Sequence, residues 1–266
     1  MNTYLSKKNR ALLRELVRTD FKLRYQGSIL GYAWSLLKPL LLFCILYVVF
    51  VYFLKLGRDI EHFPVYLLLG IVLWNFFTEM TSQSLTSVVG RGDLIRKIRI
   101  PRWMIVFASS ISATINLGLS LIVVAIFMIV NGVAIDLGIL WLIPSLIVIY
   151  LFALGCSFFL AAAYVRFRDL SYIWEVILQA GFYATPIIYP LQMVNNELIE
   201  KLLLLNPMAF AIQDARHTVV TQDTLTTFGM WGMSLVALIP IVVTLVVFVG
   251  GILYFKKRAR SFAEDI

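Results

Sequence analysis

The chain has 266 residues, 61% of them hydrophobic and only 14% charged, with a mean hydropathy of +0.88. A soluble domain holds roughly 45–50% apolar and about 25% charged residues. The balance therefore excludes a water-soluble enzyme or nucleic-acid-binding domain and indicates an integral membrane protein. Its net charge of +8 is then expected to mark loops on one side of a membrane rather than a nucleic-acid partner.

No compact apolar run followed by small residues opens the chain, so no cleavable signal peptide is expected. Residues 5–24 instead form an amphipathic pattern. Leu5, Leu12, Leu13, Leu16 and Leu23 share one helical face, and Arg10, Arg14, Arg18 and Lys22 follow one another at i+4 on the other. Such a helix suits a membrane surface. The stretch from Asp20 to Leu41 carries the chain into the bilayer. Lys22, Arg24 and Lys38 suit lipid phosphates, and Tyr25, Tyr32 and Trp34 suit headgroup depth. Gly27 and Gly31 allow a bend or a close helix contact, and Pro39 opens or kinks the first span.

Six apolar runs long enough for a hydrocarbon core of about 30 Å follow, at about 36–54, 65–89, 103–130, 140–164, 172–189 and 233–255. The fifth is short and broken by Thr185-Pro186. The expected fold is thus an all-α, single-domain membrane protein, with an N-terminal interface and gate region over 1–35 and a six-helix transmembrane domain over 36–266. Nineteen Lys and Arg residues fall in the N-terminal segment, the 91–102 loop, the 166–168 turn and the C-terminal tail; only Lys55, Arg58, Lys201 and Arg216 fall elsewhere. The positive-inside rule then puts both termini in the cytoplasm. The outer loop of about 190–232 carries two apolar helical patterns, at Leu198–Leu205 and Met208–Val220, read as short helices dipping back into the outer leaflet.

No catalytic or metal-binding pattern is found. His62 and His217 lie far apart, no phosphate-cradling loop has the right spacing, and Cys44 and Cys156 sit inside apolar runs as free, buried hydrophobes. Glu79 and Glu175 lie toward span ends, and the lack of mid-membrane carboxylates argues against ion coupling. Glu79 reads as a satisfied interfacial carboxylate, and Glu175 as a partner for Arg166 or Arg168. Aromatic residues recur instead: Tyr47 and Tyr52 in the first span, Trp174, Phe182, Tyr183 and Tyr189 in the fifth. Such rings suit sugar faces, and equally suit packing. In the 92–101 loop, Asp93 favours a helix N-terminus, and Leu94, Ile95 and Ile98 make an exposed apolar patch framed by Lys97 and Arg99. That is the form of a docking element. Arg166, Arg168 and Asp169 define a second, shorter one.

Four stretches together resemble a known family: LRYQGSILGYAWSLLKPLL at 23–41, GDLIRKIRIPRW at 92–103, VRFRDL at 165–170, and YATPIIYP at 183–190 with LLNPM at 204–208. They are similar to the membrane permease subunit of type-2 ABC exporters for O-antigen, capsule or teichoic acid. The resemblance implies no enzyme and no cofactor on this chain, with ATP and Mg bound by a separate subunit. It implies a bacterial cytoplasmic-membrane complex of two copies with two nucleotide-binding ABC subunits, moving a lipid-linked glycan. It also implies that 92–100 and 166–170 couple to the ATPase, that 25–35 forms a gate, and that spans one and five line the path. A permease for a small lipid or drug, an ion-coupled flippase and a non-transporting scaffold remain the alternatives.

Overall fold

The computed structural model describes residues 7–25, 31, 33–53, 60–97, 100–134, 137–259 and 262. Among them no strand occurs. The helices are α1 (Lys7–Tyr25), α2 (Ala33–Tyr47), α3 (Phe63–Ser87), α4 (Gly92–Lys97), α5 (Trp103–Val130), α6 (Leu142–Tyr164), α7 (Leu170–Ala184), α8 (Glu197–Leu203), α9 (Pro207–Val219), α10 (Thr227–Trp231) and α11 (Ile239–Arg258). Among the described residues, five helical stretches are long and apolar enough to cross a membrane: Leu36–Phe53, Phe63–Ser87, Trp103–Val130, Leu137–Tyr164 and Leu235–Arg258. Helix α7 has 15 residues, about 22 Å at 1.5 Å per residue, and does not reach that length by itself. The Thr185-Pro186 break accounts for this. Pro186 disfavours the α region at Thr185, whose backbone is extended at φ −90°, ψ 138°.

Helix α3 is the hub. Val65 through Leu73 are all buried, and α5, α6, α7, α9 and α2 all lean on it. Its apolar residues run all round the helix, as a helix enclosed on every side requires. Ser157 donates to the Met80 carbonyl at 3.3 Å, and Phe77 stacks on Phe152, so α6 runs parallel to α3. Trp174 contacts Thr81 near the C-terminal end of α3, while Gly181 faces Trp74 higher up, so α7 runs antiparallel to it.

The tightest helix pair is α6 with α11. A Cβ at Gly155 would sit 2.6 Å from Phe248 Cα, and one at Gly251 would collide with the Gly155 carbonyl. In lipid, where burial of apolar surface drives little, such close backbone contact is what holds helices together.

Helix α1 follows its helical wheel. Arg10, Arg14, Arg18 and Lys22 are exposed, and Leu16 is buried. The apolar stripe does not face lipid alone: Leu12, Leu13, Leu16 and Val17 gather with Met104, Ala108 and Trp103 at the foot of α5. Leu5 lies outside the described residues. Helix α2 contains Pro39 and continues as a π-helical turn over Val48–Phe53. Cys44 is exposed and Cys156 half-buried, both free thiols; the burial expected of Cys44 is not met because α2 shows that face to the outside.

Between α7 and α11, Asn196 and Asn206 cap α8 and α9 through their side-chain oxygens. Helix α8 leaves Leu198, Ile199 and Leu202 exposed, whereas α9 is buried from Pro207 to Gln213. Helix α9 is wedged against α3, α6 and α11.

Candidate functional site

The end of the bundle carrying the α3–α5 connection and the α6–α7 turn holds both expected docking elements. Asp93 is exposed in the first turn of α4. Leu94 is not part of an exposed patch: it is half-buried and joins the Leu16, Met104 and Ala108 cluster. Ile95 and Lys97 continue the backbone of α4, while Ile98 and Arg99 lie outside the described residues. Just before α4, Arg91 pairs with Asp20 of α1, so α1, α4 and the foot of α5 form one connected unit. Phe262 is buried there too, against Phe255 and beneath Arg102.

The second element, Arg166–Asp169, is fully presented. Arg166, Phe167, Arg168 and Asp169 are all exposed. The expected pairing with Glu175 is not found. Arg166 lies 5.6 Å over Phe167, and Arg168 lies 5.3 Å over Tyr164. Glu175 is exposed on α7, one turn and a half further along, and an arginine stacked on a neighbouring ring has its plane already committed.

Of the residues expected at the gate, Gly27 and Tyr32 lie outside the described residues, and for Arg24 and Tyr25 only the helical backbone is described. Lys22 is exposed on α1. Gly31 has φ +48° with nothing within 4 Å of a Cβ built on it, and its carbonyl accepts from Trp34 N at 3.3 Å. It makes the turn into α2. Trp34 and Lys38, on the first turns of α2, are exposed.

The aromatic set divides. Trp174 donates its indole N–H to Thr81 Oγ1 at 3.1 Å and sits 6.2 Å from Phe77. Phe182 stands edge-on to Trp74 at 6.3 Å. These two fasten α7 to α3. Tyr52 and Tyr183 are 68% and 60% exposed. Tyr47 meets Tyr52 edge-on at 6.2 Å, and half-buried Tyr189 donates to the Tyr183 carbonyl at 3.3 Å. Around them α2 and α7 show broad apolar faces: Leu41, Ile45 and Phe53 on one, Tyr172, Val176 and Ile177 on the other. Within α7 only Leu178 is buried.

Three further features stand out. The first is an open cavity of about 420 Å³ between α2, α3 and α5, lined by polar groups such as Lys38, Glu79, Gln83 and Asn116 together with apolar surface from Pro39, Val72, Phe76 and Leu117. Glu79 Oε1 accepts from Gln83 Nε2 at 2.9 Å and from Asn116 Nδ2. Glu79 is satisfied, as expected, but it lines an open space.

The second is Arg216. It is fully buried in α9 and donates to the Tyr66, Pro186 and Ile187 carbonyls at 3.0, 2.5 and 2.6 Å, and to Gln213 Oε1 at 3.1 Å. Its guanidinium lies 3.7 Å from the Tyr66 ring centre. Burial lowers its pKa, and Tyr66 opposes that. Gly70 leaves the space: a Cβ there would be 3.0 Å from Cζ and closer still to one terminal nitrogen. The signal available in sequence was Gln213 and Arg216 three residues apart on the apolar face of the Met208–Val220 pattern.

The third is Asp214, whose carboxyl is pushed up to about 7 by burial. A second cavity of about 350 Å³ is lined by Tyr66, Pro190, Gln192, Asp223 and Thr224 among others.

No group of His, Cys, Asp and Glu among the described residues is arranged to hold a metal ion. The arrangement is that of a multi-pass helical membrane protein whose buried polar groups anchor its helices to one another. The chain belongs to the ABC-2 type transporter family, whose membrane domain matches residues 11–220. It is 31% identical over 262 residues to the O-antigen export system permease protein RfbA of Myxococcus xanthus, covering 97% of this chain and 96% of that protein. It is 29% identical over 254 residues to a protein of the same name from Klebsiella pneumoniae, covering 95% and 94%.

Proposed function

We infer that this chain is the membrane-spanning permease of an ATP-driven exporter that carries a lipid-linked polysaccharide of the O-antigen type across the bacterial cytoplasmic membrane. The observation that carries this is the end-to-end similarity to relatives named O-antigen export permeases, in a chain belonging to the ABC-2 type transporters. Two copies would work with two nucleotide-binding subunits that hold ATP and Mg.

In this reading the fifth crossing is α7 together with the broken segment Thr185–Tyr189, giving six crossings with both termini in the cytoplasm. Helix α1 lies along the inner surface, and α8 to α10 form an outer cap with α9 dipping into the membrane. The weak hold on α2 and α7 supports their lining a path between the two copies. Their faces are bare, and Tyr52 and Tyr183 are exposed on them. Motion of the ATPase would enter through Asp93 and the rest of α4, continuing over Ile98 and Arg99, and through Arg166, Arg168 and Asp169. The Arg91–Asp20 pair would make α1 move with α4. Lys22, Arg24 and Lys38 would meet the lipid phosphates, while Gly27, Gly31, Tyr32 and Trp34 frame the opening.

The test is depletion of this chain in its own host, with mass spectrometry of membrane lipids and co-purification of a nucleotide-binding subunit. Lipid-linked glycan should accumulate on the inner leaflet, and the ATPase should co-purify with the permease. An unchanged lipid-linked glycan pool in depleted cells would remove the export reading.

A further inference from the structure

We propose that Phe262 is a positioning residue that ties the return of the first docking element to α6 and α11, so that α4 and the 166–169 turn meet the nucleotide-binding subunit as one rigid surface. This rests on the export reading above, which makes those two elements the docking sites, and adds the part that holds them in register.

Phe262 lies four residues beyond α11, in a run, KKRARSFAED, that is otherwise charged or small. A ring in such a run is expected in water or among lipid headgroups, yet this one is 1% exposed. Its centre is 5.4 Å from that of Phe255, edge-on at 80°. A helix continuing through both would separate them, seven residues apart, by about 10 Å along its axis. The chain therefore turns back after Ala259, and Phe262 returns to Phe255.

The ring joins two parts of the molecule. Phe255 stands edge-on to Phe158 of α6 at 5.2 Å, so Phe158, Phe255 and Phe262 form a row in the geometry that aromatic pairs favour. The Arg102 guanidinium carbon lies 5.9 Å from the Phe262 ring centre, within reach of a cation–π contact. Arg102 stands between Pro101 and α5, where the first docking element returns to the bundle. Phe158 is eight residues before Arg166, about 12 Å along the helix that leads straight into the second element.

Elsewhere the two elements are fastened to different neighbours. The entry to α4 is fixed to α1 through the Arg91–Asp20 pair and Leu94. Helix α5 packs on α3 and α1, whereas α6 is locked to α11 by the close approach of Gly155 and Gly251. Helix α3 joins the two groups within the bundle. At the docking end, Phe262 adds a link from α11 to the Arg102 return, so a push on one element has to move the other.

The experiment uses the full chain in lipid nanodiscs with Cys44→Ala and Cys156→Ala, spin-labelled at Asp93→Cys and Phe167→Cys, both exposed positions. With Phe262 in place the pair should give one narrow distance. Phe262→Ala, which leaves a cavity, should lose it to a broad distribution, and Phe262→Leu, which refills the site, should recover it. A second pair, Ile126→Cys with Ile147→Cys, exposed toward the other ends of α5 and α6, should stay narrow in all three. In the unlabelled complex with its nucleotide-binding subunit, Phe262→Ala should keep ATPase co-purification and ATP hydrolysis but lose glycan export per ATP.

A narrow 93–167 distance in Phe262→Ala overturns the tie. Broadening at both pairs, with a lower melting temperature, reduces Phe262 to a stability role and overturns the positioning role. Broadening at 93–167 with unchanged glycan export per ATP overturns the part played in coupling. Absence of a co-purifying nucleotide-binding subunit from the unsubstituted chain counts against the export reading, and the two distances still decide the tie.

Discussion

Replacing Arg216 tests whether a single side chain holds α9 to α3 and to the end of α7. In Arg216→Met the apolar bulk is kept and the guanidinium is lost. Three backbone carbonyls, on Tyr66, Pro186 and Ile187, then stay buried without a donor. Each unsatisfied group costs about 1–3 kcal/mol, and the loss of burying the charge itself returns part of that. The net destabilisation is about 3–5 kcal/mol, or about 10 °C in melting temperature for a chain of this size. Arg216→Lys should fall between, because one ammonium cannot reach carbonyls on α3 and on the α7 break at once.

Gly70 supplies the control. Gly70→Ala places a methyl group against the guanidinium and should push it off its acceptors, giving a loss similar to that of Arg216→Met. In the double variant the methyl group has nothing to displace, so the two losses should fall short of adding by 1 kcal/mol or more. Melting followed by size-exclusion of heated samples in mild detergent reads all four. Strict additivity, or an Arg216→Met protein that melts within about 1 °C of the unsubstituted chain, would refute the anchoring argument.

Three further outcomes are expected. Gly251→Leu should separate α6 from α11 and cost about 3 kcal/mol or more, while Gly250→Leu, beside it and facing open space, should cost under 1; heated size-exclusion distinguishes them. Asp214 holds its proton up to about pH 7 in the fold but only to about 3.8 when unfolded. Stability should therefore fall as pH rises from about 4 to 7, and Asp214→Asn should remove a penalty on the order of 2–4 kcal/mol at pH 8 with little effect at pH 4, read from melting curves across that range. Phe167→Ala together with Arg168→Glu should leave the melting temperature unchanged, since all of 166–169 is exposed; retained ATPase co-purification would discount that turn as a docking element.

Where a pattern depended only on local periodicity, it could be read directly. The charged row Arg10, Arg14, Arg18 and Lys22 is exposed, and Leu16 opposite it is buried. The break at Thr185-Pro186 was equally local. What could not be read was which apolar face meets which neighbour. Leu94 looked like part of an exposed patch because its partners, Leu16 and Met104, lie on other helices. Trp174 could be read as a sugar platform or as a packing residue, and its N–H goes to Thr81, 93 residues away. Arg216 was counted as an outer-loop charge. Only its partners on α3 and at the end of α7, 29 to 150 residues distant, make it structural. Gly155 and Gly251 carry their meaning solely as a pair.

These contacts divide the molecule into a fastened part and a loose part. Helices α3, α5, α6, α9 and α11 are joined by close glycine contacts, the Arg216 hub and the α3 core. Helix α7 is held at the Trp174–Thr81 bond, the Gly181–Trp74 contact and the Arg216 bonds to Pro186 and Ile187, all on one side. Its other side is bare, as is one face of α2. A motion delivered at 166–169 would therefore meet little resistance along α7 until Arg216, where the chain is pinned. Among the described residues α2 has no such pin, and its Pro39 and π-helical turn interrupt the regular hydrogen bonding that would stiffen it. If the proposed path runs between α2 and α7, a compliant α2 working against a pinned α7 would let the opening widen while Arg216 keeps α9 joined to α3 and the end of α7.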